Sequence, residues 1–268
     1  MMPTPVPPGA EFLTAPGLSG MPHGFFTRRG GVSAGRFASL NCSLSGQDEP
    51  EAVRENRARA MRALGTEPAS LSGLFQVHGT AVAVVEAPVA HEARPHADGA
   101  VTNRPGVTLG IITADCGPVL FADPRAGVVG ACHAGWRGAL SGVLEATIEA
   151  MEALGAARAD IAASLGPCIR QPSYEVGPDL REALLAADPA GGRFLAPGAR
   201  EDRWQFDMAG LILARLRAAG VAAEALPNDT LAEEDRFFSH RRRTLEGGGP
   251  IGHQLSAIAL PFRGSPPF

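Results

Sequence analysis

Apolar positions along the chain form two patterns: stripes at helical spacing and short continuous runs. Val53, Asn56 or Arg57, Ala60, Met61 and Leu64 recur every three or four residues. That predicts a helix over 49–64, with Gly65 placed to stop it. Leu140, Val143, Leu144, Thr147, Ile148, Met151 and Leu154 repeat the spacing and predict one helix, capped at Gly155. PDLREALLAA and DMAGLILARLRAAG predict two more; Pro178 suits a first turn and Asp207 an N-cap. Between these stripes lie strand-length runs: LSGLFQVHG at 71–79, AVAVVEA, GVTLGIITADC ending near Cys116, PVLFAD, VVGACHA, IAASLGPCI and QLSAIAL. Residues 23–43 begin strand-like and turn into a Gly-rich loop.

This mixture, without internal repeat or low-complexity linker, predicts one α/β domain with sheet packed on sheet inside helical layers. Residues 1–20, rich in Pro, Gly and Ala, read as a loose lead-in to a single catalytic domain over 21–268. With 268 residues, 45% of them hydrophobic, a sizeable core is available. A monomer is expected at this size.

Charge narrows the functional classes. The net charge is -4 and the longest basic run is Arg241-Arg242-Arg243, so no block exists that could track a nucleic-acid backbone. All 24 basic residues are arginine, which excludes a Schiff-base lysine and a P-loop lysine. No run approaches the ~18 apolar residues of a membrane span. The N-terminus has neither a basic nor an apolar leader segment. Cys42, Cys116, Cys132 and Cys168 lie far apart and read as reduced thiols of a cytoplasmic protein.

The chemistry gathers where strands end at glycines. His133 closes VVGACHA before the Gly-flanked turn GWRG, and alternation turns Cys132 to the opposite face, into the core. QVHG places His78 at a similar junction, and TADCGP places Asp115 and Cys116 at another. Two imidazoles and a thiolate make a three-ligand zinc set with a fourth position open. Their gaps of 38 and 17 residues are not a local finger pattern, and each histidine reads as a ligand or as a satisfied structural side chain. Arg137, at the start of a helix, offers an anion site or a solvated turn; TRRGGVS at 27–33, with Arg28, offers a second. GVSAG lacks the strand-to-helix elbow of a hydrolase nucleophile, and no H-E-x-x-H, G-x-G-x-x-G or Walker loop is present. Nor does an H-x-E accompany a P-C-x-x-C, the common zinc deaminase signature.

HGFFTRRGGVS, SLN at 39–41, QVHG, DGAVTN, TADCGPVLFAD, HAGWRG, LGPCI, SYEVG and FFSHRR occur in this order across 23–243. In these segments the chain resembles the YfiH-type, or multicopper polyphenol oxidase (laccase), family. That family is described as purine nucleoside phosphorylases with adenosine deaminase activity and includes a peptidoglycan editing factor. The resemblance implies zinc held by His78, Cys116 and His133. It implies an αββα sandwich of two mixed sheets flanked by helices, similar to a cysteine hydrolase fold. The implied substrates are a purine nucleoside and phosphate, with adenosine, inosine and methylthioadenosine as the nucleosides. Arg28, Asn41, Gln76 and Arg137 are then expected to bind substrate or phosphate, and Asp115, beside Cys116, to carry a proton. Gly117 stands where the family has a larger apolar residue, and His253 where it often has Arg.

Two further enzyme readings follow from the same residues. Cys116 with His133 or His78 forms the pair of a cysteine hydrolase or amidase, as peptidoglycan editing requires. Four-copper oxidase chemistry needs many imidazoles, commonly in H-x-H pairs; the chain has seven histidines and no such pair. Copper would still bind the three-ligand site in vitro, since Cu(II) outranks zinc in affinity. A non-enzymatic metal- or nucleotide-binding protein is the remaining class.

Overall fold

The computed structural model describes residues 9–261. Among the described residues fourteen strands form three sheets. The first sheet has the order β1 (Phe12–Leu13), β2 (His23–Phe26), β14 (Gln254–Ala259), β6 (Thr108–Thr113), β3 (Leu71–Ser72). The second has the order β13 (Ala222–Ala225), β9 (Ala162–Leu165), β7 (Gly117–Asp123), β8 (Val128–Ala134), β5 (Gly99–Thr102), β4 (Val82–Val84). Both are mixed: β3 runs parallel to β6, and β13 and β4 run parallel to β9 and β5, while their other pairs are antiparallel. A small third sheet joins β10 (Glu175–Val176), β12 (Trp204–Phe206) and β11 (Leu195–Pro197).

Alternation along each strand builds the layers. Leu109, Ile111, Phe25 and Ile258 from the first sheet meet Leu120, Ala122, Val129 and Ala131 from the second in one buried cluster. The residues between them point outward. Val119, Phe121, Val128 and Cys132 pack under α3 (Val143–Ala153), α4 (Pro178–Ala187) and α5 (Met208–Ala218). Phe26, Leu255 and Ala257 pack under α1 (Pro50–Ala63). The result is the αββα sandwich expected from the sequence.

Four expectations are corrected. The helix expected from Leu140 is two: α2 (Trp136–Ser141) stops at Gly142, whose φ of 105° breaks the ladder, and α3 starts after it. The strand expected over 71–79 is only β3, because the N–H groups of Val77, His78 and Gly79 donate to the Asp98 carboxylate instead of a neighbouring strand. The strand expected to run to Cys116 ends at Thr113, since Asp115 takes a φ of 90°. The lead-in is not loose from Gly9 on: β1 pairs with β2, and Ala15 and Leu18 are buried. Residues 1–8 lie outside the described range.

No helix among the described residues is long and apolar enough to cross a membrane. All four cysteines are free.

Candidate functional site

The chain passes between the two large sheets at 114–116, from β6 to β7, and again at 73–81, from β3 to β4. These crossovers carry Cys116 and His78. His133 arrives on β8, facing the inter-sheet side because Cys132 and Ala134 face the helices. One ligand atom from each of the three side chains lies within 4.8 Å of the others. The rings of His78 and His133 meet edge to face, with centroids 4.7 Å apart. Among the described residues this is the one such cluster.

Asp98 organises it. The carboxylate is fully buried and accepts N–H bonds from Val77, His78 and Gly79 at 3.0, 3.0 and 2.7 Å. It also accepts from Nδ1 of His133 at 2.8 Å, leaving Nε2 as the nitrogen free to ligate. Burial alone would push the Asp98 carboxyl up; the bonds from His133, Gly79 and Val77 bring it down instead. His78 needs this support because its φ is 60°, a left-handed conformation costly for a side-chain-bearing residue.

Glycines make the room. A Cβ on Gly135 would sit 3.2 Å from Sγ of Cys116 and from Cδ2 of His78; one on Gly138 would sit 3.1 Å from the Gly79 carbonyl oxygen. The GWRG glycines therefore let α2 close on both crossovers. Electrostatics favour a thiolate. Burial opposes the charge on Cys116, but His133 and His78 outweigh it and bring the thiol down to about 6. His133 responds in kind: burial lowers it, yet Cys116 and Asp98 raise it to about 9. Cys42, Cys132 and Cys168 are pushed up by burial. Two imidazoles and a thiolate, one imidazole oriented by a carboxylate, fit a borderline-soft divalent metal such as zinc.

These ligands open into a cavity of about 910 Å³. Arg137, Arg241 and Arg243 line it with Trp136, Tyr174 and Phe75. Arg137 is exposed, its guanidinium 4.2 Å above the Trp136 ring. Gln76 also lines the cavity, but its amide holds both the N–H and the carbonyl of Ile112. Asp115 lines it too, with both carboxylate oxygens engaged: Thr230 Oγ1 donates at 2.6 Å, Ser239 Oγ at 3.0 Å and the Arg241 N–H at 2.6 Å. That makes it an anchor for the segment entering α6 (His240–Leu245).

Arg28 and Asn41 are not among the cavity-lining residues. Arg28 donates to the carbonyls of Ala38 and Glu234 and lies over Phe238. Asn41 is fully buried, donating to Asp48 and accepting from the N–H groups of Ser43 and His253. Sequence reasoning missed Asp98, Tyr174 and the arginines of α6. Asp98 and Tyr174 lie in DGAVTN and SYEVG, both noticed as segments, but nothing in their spacing betrayed a role.

A mixed-sheet αββα sandwich with a His-Cys-His cluster that could hold a metal ion defines the class of this α/β protein. The chain belongs to the family of multi-copper polyphenol oxidoreductase laccases, whose model matches residues 22–261. It is 43% identical over 256 residues to a protein of Deinococcus radiodurans named purine nucleoside phosphorylase, covering 96% of this chain and 95% of that one. It is 44% identical over 240 residues to a Streptomyces griseus protein named purine nucleoside phosphorylase ORF3, with 87% and 94% covered. YlmD of Geobacillus stearothermophilus superposes with a TM-score of 0.86 at 30% identity, covering 97% and 98%. A Neisseria meningitidis protein superposes with a TM-score of 0.81 at 34% identity, covering 95% and 99%.

Proposed function

We propose that this chain is a zinc-dependent purine nucleoside phosphorylase acting on adenosine, inosine and methylthioadenosine, and that it also deaminates adenosine. One observation carries the reading: a two-imidazole, one-thiolate donor set and an arginine-bearing wall face the same cavity. The name carried by the relatives from Deinococcus and Streptomyces supports it.

In phosphorolysis a phosphate oxygen bonds to the anomeric carbon as the glycosidic bond to the purine breaks. Arg137, Arg241 and Arg243 are suited to hold that anion, because a guanidinium matches phosphate oxygens with paired donors. Trp136, Tyr174 and Phe75 offer flat apolar faces for a purine. In deamination water replaces the amine at C6 and ammonia leaves. When bound by His78, Cys116 and His133, zinc supplies Lewis acidity and brings the activation of water within reach of neutral pH. Asp98 fixes His133; Asp115 fixes the segment that presents Arg241.

A second reading rests on the downward shift of the Cys116 thiol beside His133, the signature of a cysteine hydrolase pair acting on an amide. Four-copper oxidase chemistry has no second cluster among the described residues.

The test is release of purine base from the three nucleosides with and without phosphate, for wild type and for His78→Ala, Cys116→Ala and His133→Ala. Phosphate-dependent release that falls at least about a hundredfold in every variant is expected. Unchanged rates in all three would end the proposal. Full amidase activity in metal-free protein, abolished by alkylating Cys116, would favour the hydrolase.

A further inference from the structure

Tyr174 is the only tyrosine of the chain. It follows the short turn Gln171–Ser173 and leads into β10. Its backbone is held twice: its N–H donates to the Gln171 carbonyl at 3.2 Å, and its carbonyl accepts the Phe206 N–H at 2.9 Å. The ring packs against that of Phe206, with centroids 5.7 Å apart, and borders the helix-covered core. Tyr174 is thereby fixed in the cavity wall.

Its hydroxyl is uncommitted. Among the described residues it has no hydrogen-bond partner, nor is it one of the buried unpaired atoms, so it reaches the open cavity. It stands in the field of Cys116, Arg241, Asp115 and Arg137, and the Arg241 guanidinium carbon is 5.4 Å from the ring centroid. Burial, then the charge on Cys116, pushes the phenol above its ordinary range, so it keeps its proton.

From this placement, and resting on the phosphorylase reading above, we propose that the Tyr174 hydroxyl completes the phosphate site begun by Arg137 and Arg241 and selects hydrogen phosphate over sulfate. Donors and acceptors decide this. A guanidinium only donates, so arginines satisfy the oxygens of an anion but leave the proton of a P–OH group without an acceptor. Hydrogen phosphate carries such a proton at neutral pH; sulfate does not. The other acceptors beside Arg241 are taken. Asp115 accepts from Thr230, Ser239 and the Arg241 N–H, and Nε2 of His240 accepts from Nη2 of Arg243 at 2.8 Å. A free carboxylate in this place would repel the anion. A neutral phenol accepts the P–OH proton without adding charge.

The experiment measures binding of inorganic phosphate, sulfate and inosine to the zinc-loaded full chain by titration calorimetry, for wild type and Tyr174→Phe. The phosphate KM for base release is measured beside it. Tyr174→Phe, which keeps the ring, is expected to weaken phosphate about ten- to fiftyfold and sulfate less than about threefold, with inosine affinity and zinc content unchanged. The phosphate KM rises with the phosphate Kd. Where the variant folds poorly, wild type serves alone. Tyrosine isotope-labelled at Cζ gives a single NMR line, because the chain has one tyrosine. Phosphate is expected to move that line further than sulfate does. Unchanged phosphate affinity in Tyr174→Phe overturns the proposal. Equal losses for the two anions, or equal movements of the line, overturn it as well, as does a loss confined to inosine. Base release by wild type that ignores phosphate overturns the phosphorylase reading instead, whereas the two anion affinities test the hydroxyl by themselves.

Discussion

Nδ1 of His133 stands 2.8 Å from a carboxylate oxygen of Asp98, and that carboxylate also gathers the three consecutive N–H groups that carry His78. One side chain thus aims one ligand and shapes the backbone under another. Asp98→Asn keeps the volume but loses the charge and turns a donor toward those N–H groups. The expected result is a zinc affinity lower by about ten- to a hundredfold, read by competition with a chromophoric chelator. The metal-free protein should also melt earlier, since buried donors lose their acceptor. Equal zinc affinity in the two proteins would show that Asp98 does not orient the site.

Gly135 adopts an ordinary backbone conformation, with a φ of -67°, so its lack of a side chain matters for space alone. Gly135→Ala would press a methyl against Cys116 and His78. Metal affinity is expected to fall on the order of tenfold, while the melting temperature of metal-free protein stays within a few degrees of wild type. A variant that loads metal as wild type does would show that the crossovers relax around the methyl.

Gly142 separates α2 from α3 at a φ of 105°. Gly142→Ala forces a left-handed alanine and is expected to destabilise the fold by about 1–2 kcal/mol in urea unfolding. An increase in stability would mean that the two helices can merge into the single one their spacing suggests.

Cysteine reactivity separates the site from the core. Cys116 is brought down to about 6, whereas Cys42 and Cys168 are pushed up to about 12 and Cys132 is raised further, all three fully buried. Iodoacetamide at pH 7 should label metal-free protein once per chain, at Cys116, as mapped by peptide mass spectrometry. Saturating zinc should block that labelling. Rapid modification of a second cysteine would contradict the burial described.

Stability should fall in acid through two neutral histidines. His23 accepts the Ala15 N–H through Nε2 and donates through Nδ1 to the Met21 carbonyl; burial lowers it from 6.5. His253 is lowered to about 4. A depressed histidine takes up its proton more readily in the unfolded chain, so its contribution is complete above pH 6.5 and declines as pH falls toward the folded value. Urea midpoints of metal-free protein should therefore drop from pH 7 to 4.5, and less steeply in His23→Gln. Parallel pH profiles would remove His23 from the explanation.

Much of the architecture was legible because the core is built by periodicity. The stripe over 49–64 became α1, Asp207 caps α5 through the Gly210 N–H, and Cys132 and His133 face opposite ways. What escaped reading depends on contacts between distant residues. Nothing local marks 71–79 as irregular; its ladder is withheld by Asp98, some twenty residues on. The stripe from 140 to 154 concealed a break that only the φ of Gly142 exposes. Three residues at glycine-bounded strand ends come within 4.8 Å of one another, a proximity that the spacing of 38 and 17 residues left open. Their supporting shell stayed hidden, as did the burial of Asn41 and the commitment of Arg28 to loop carbonyls.

Because Cys116 and His78 ride on two of the passages from one sheet to the other, an ion held between them would bolt the halves of the sandwich together. Sliding of one layer over its neighbour would then be resisted by coordination bonds as well as by hydrocarbon. Chelation should accordingly loosen the whole domain in a single cooperative event, so that amide exchange quickens in β6 and β7 alike.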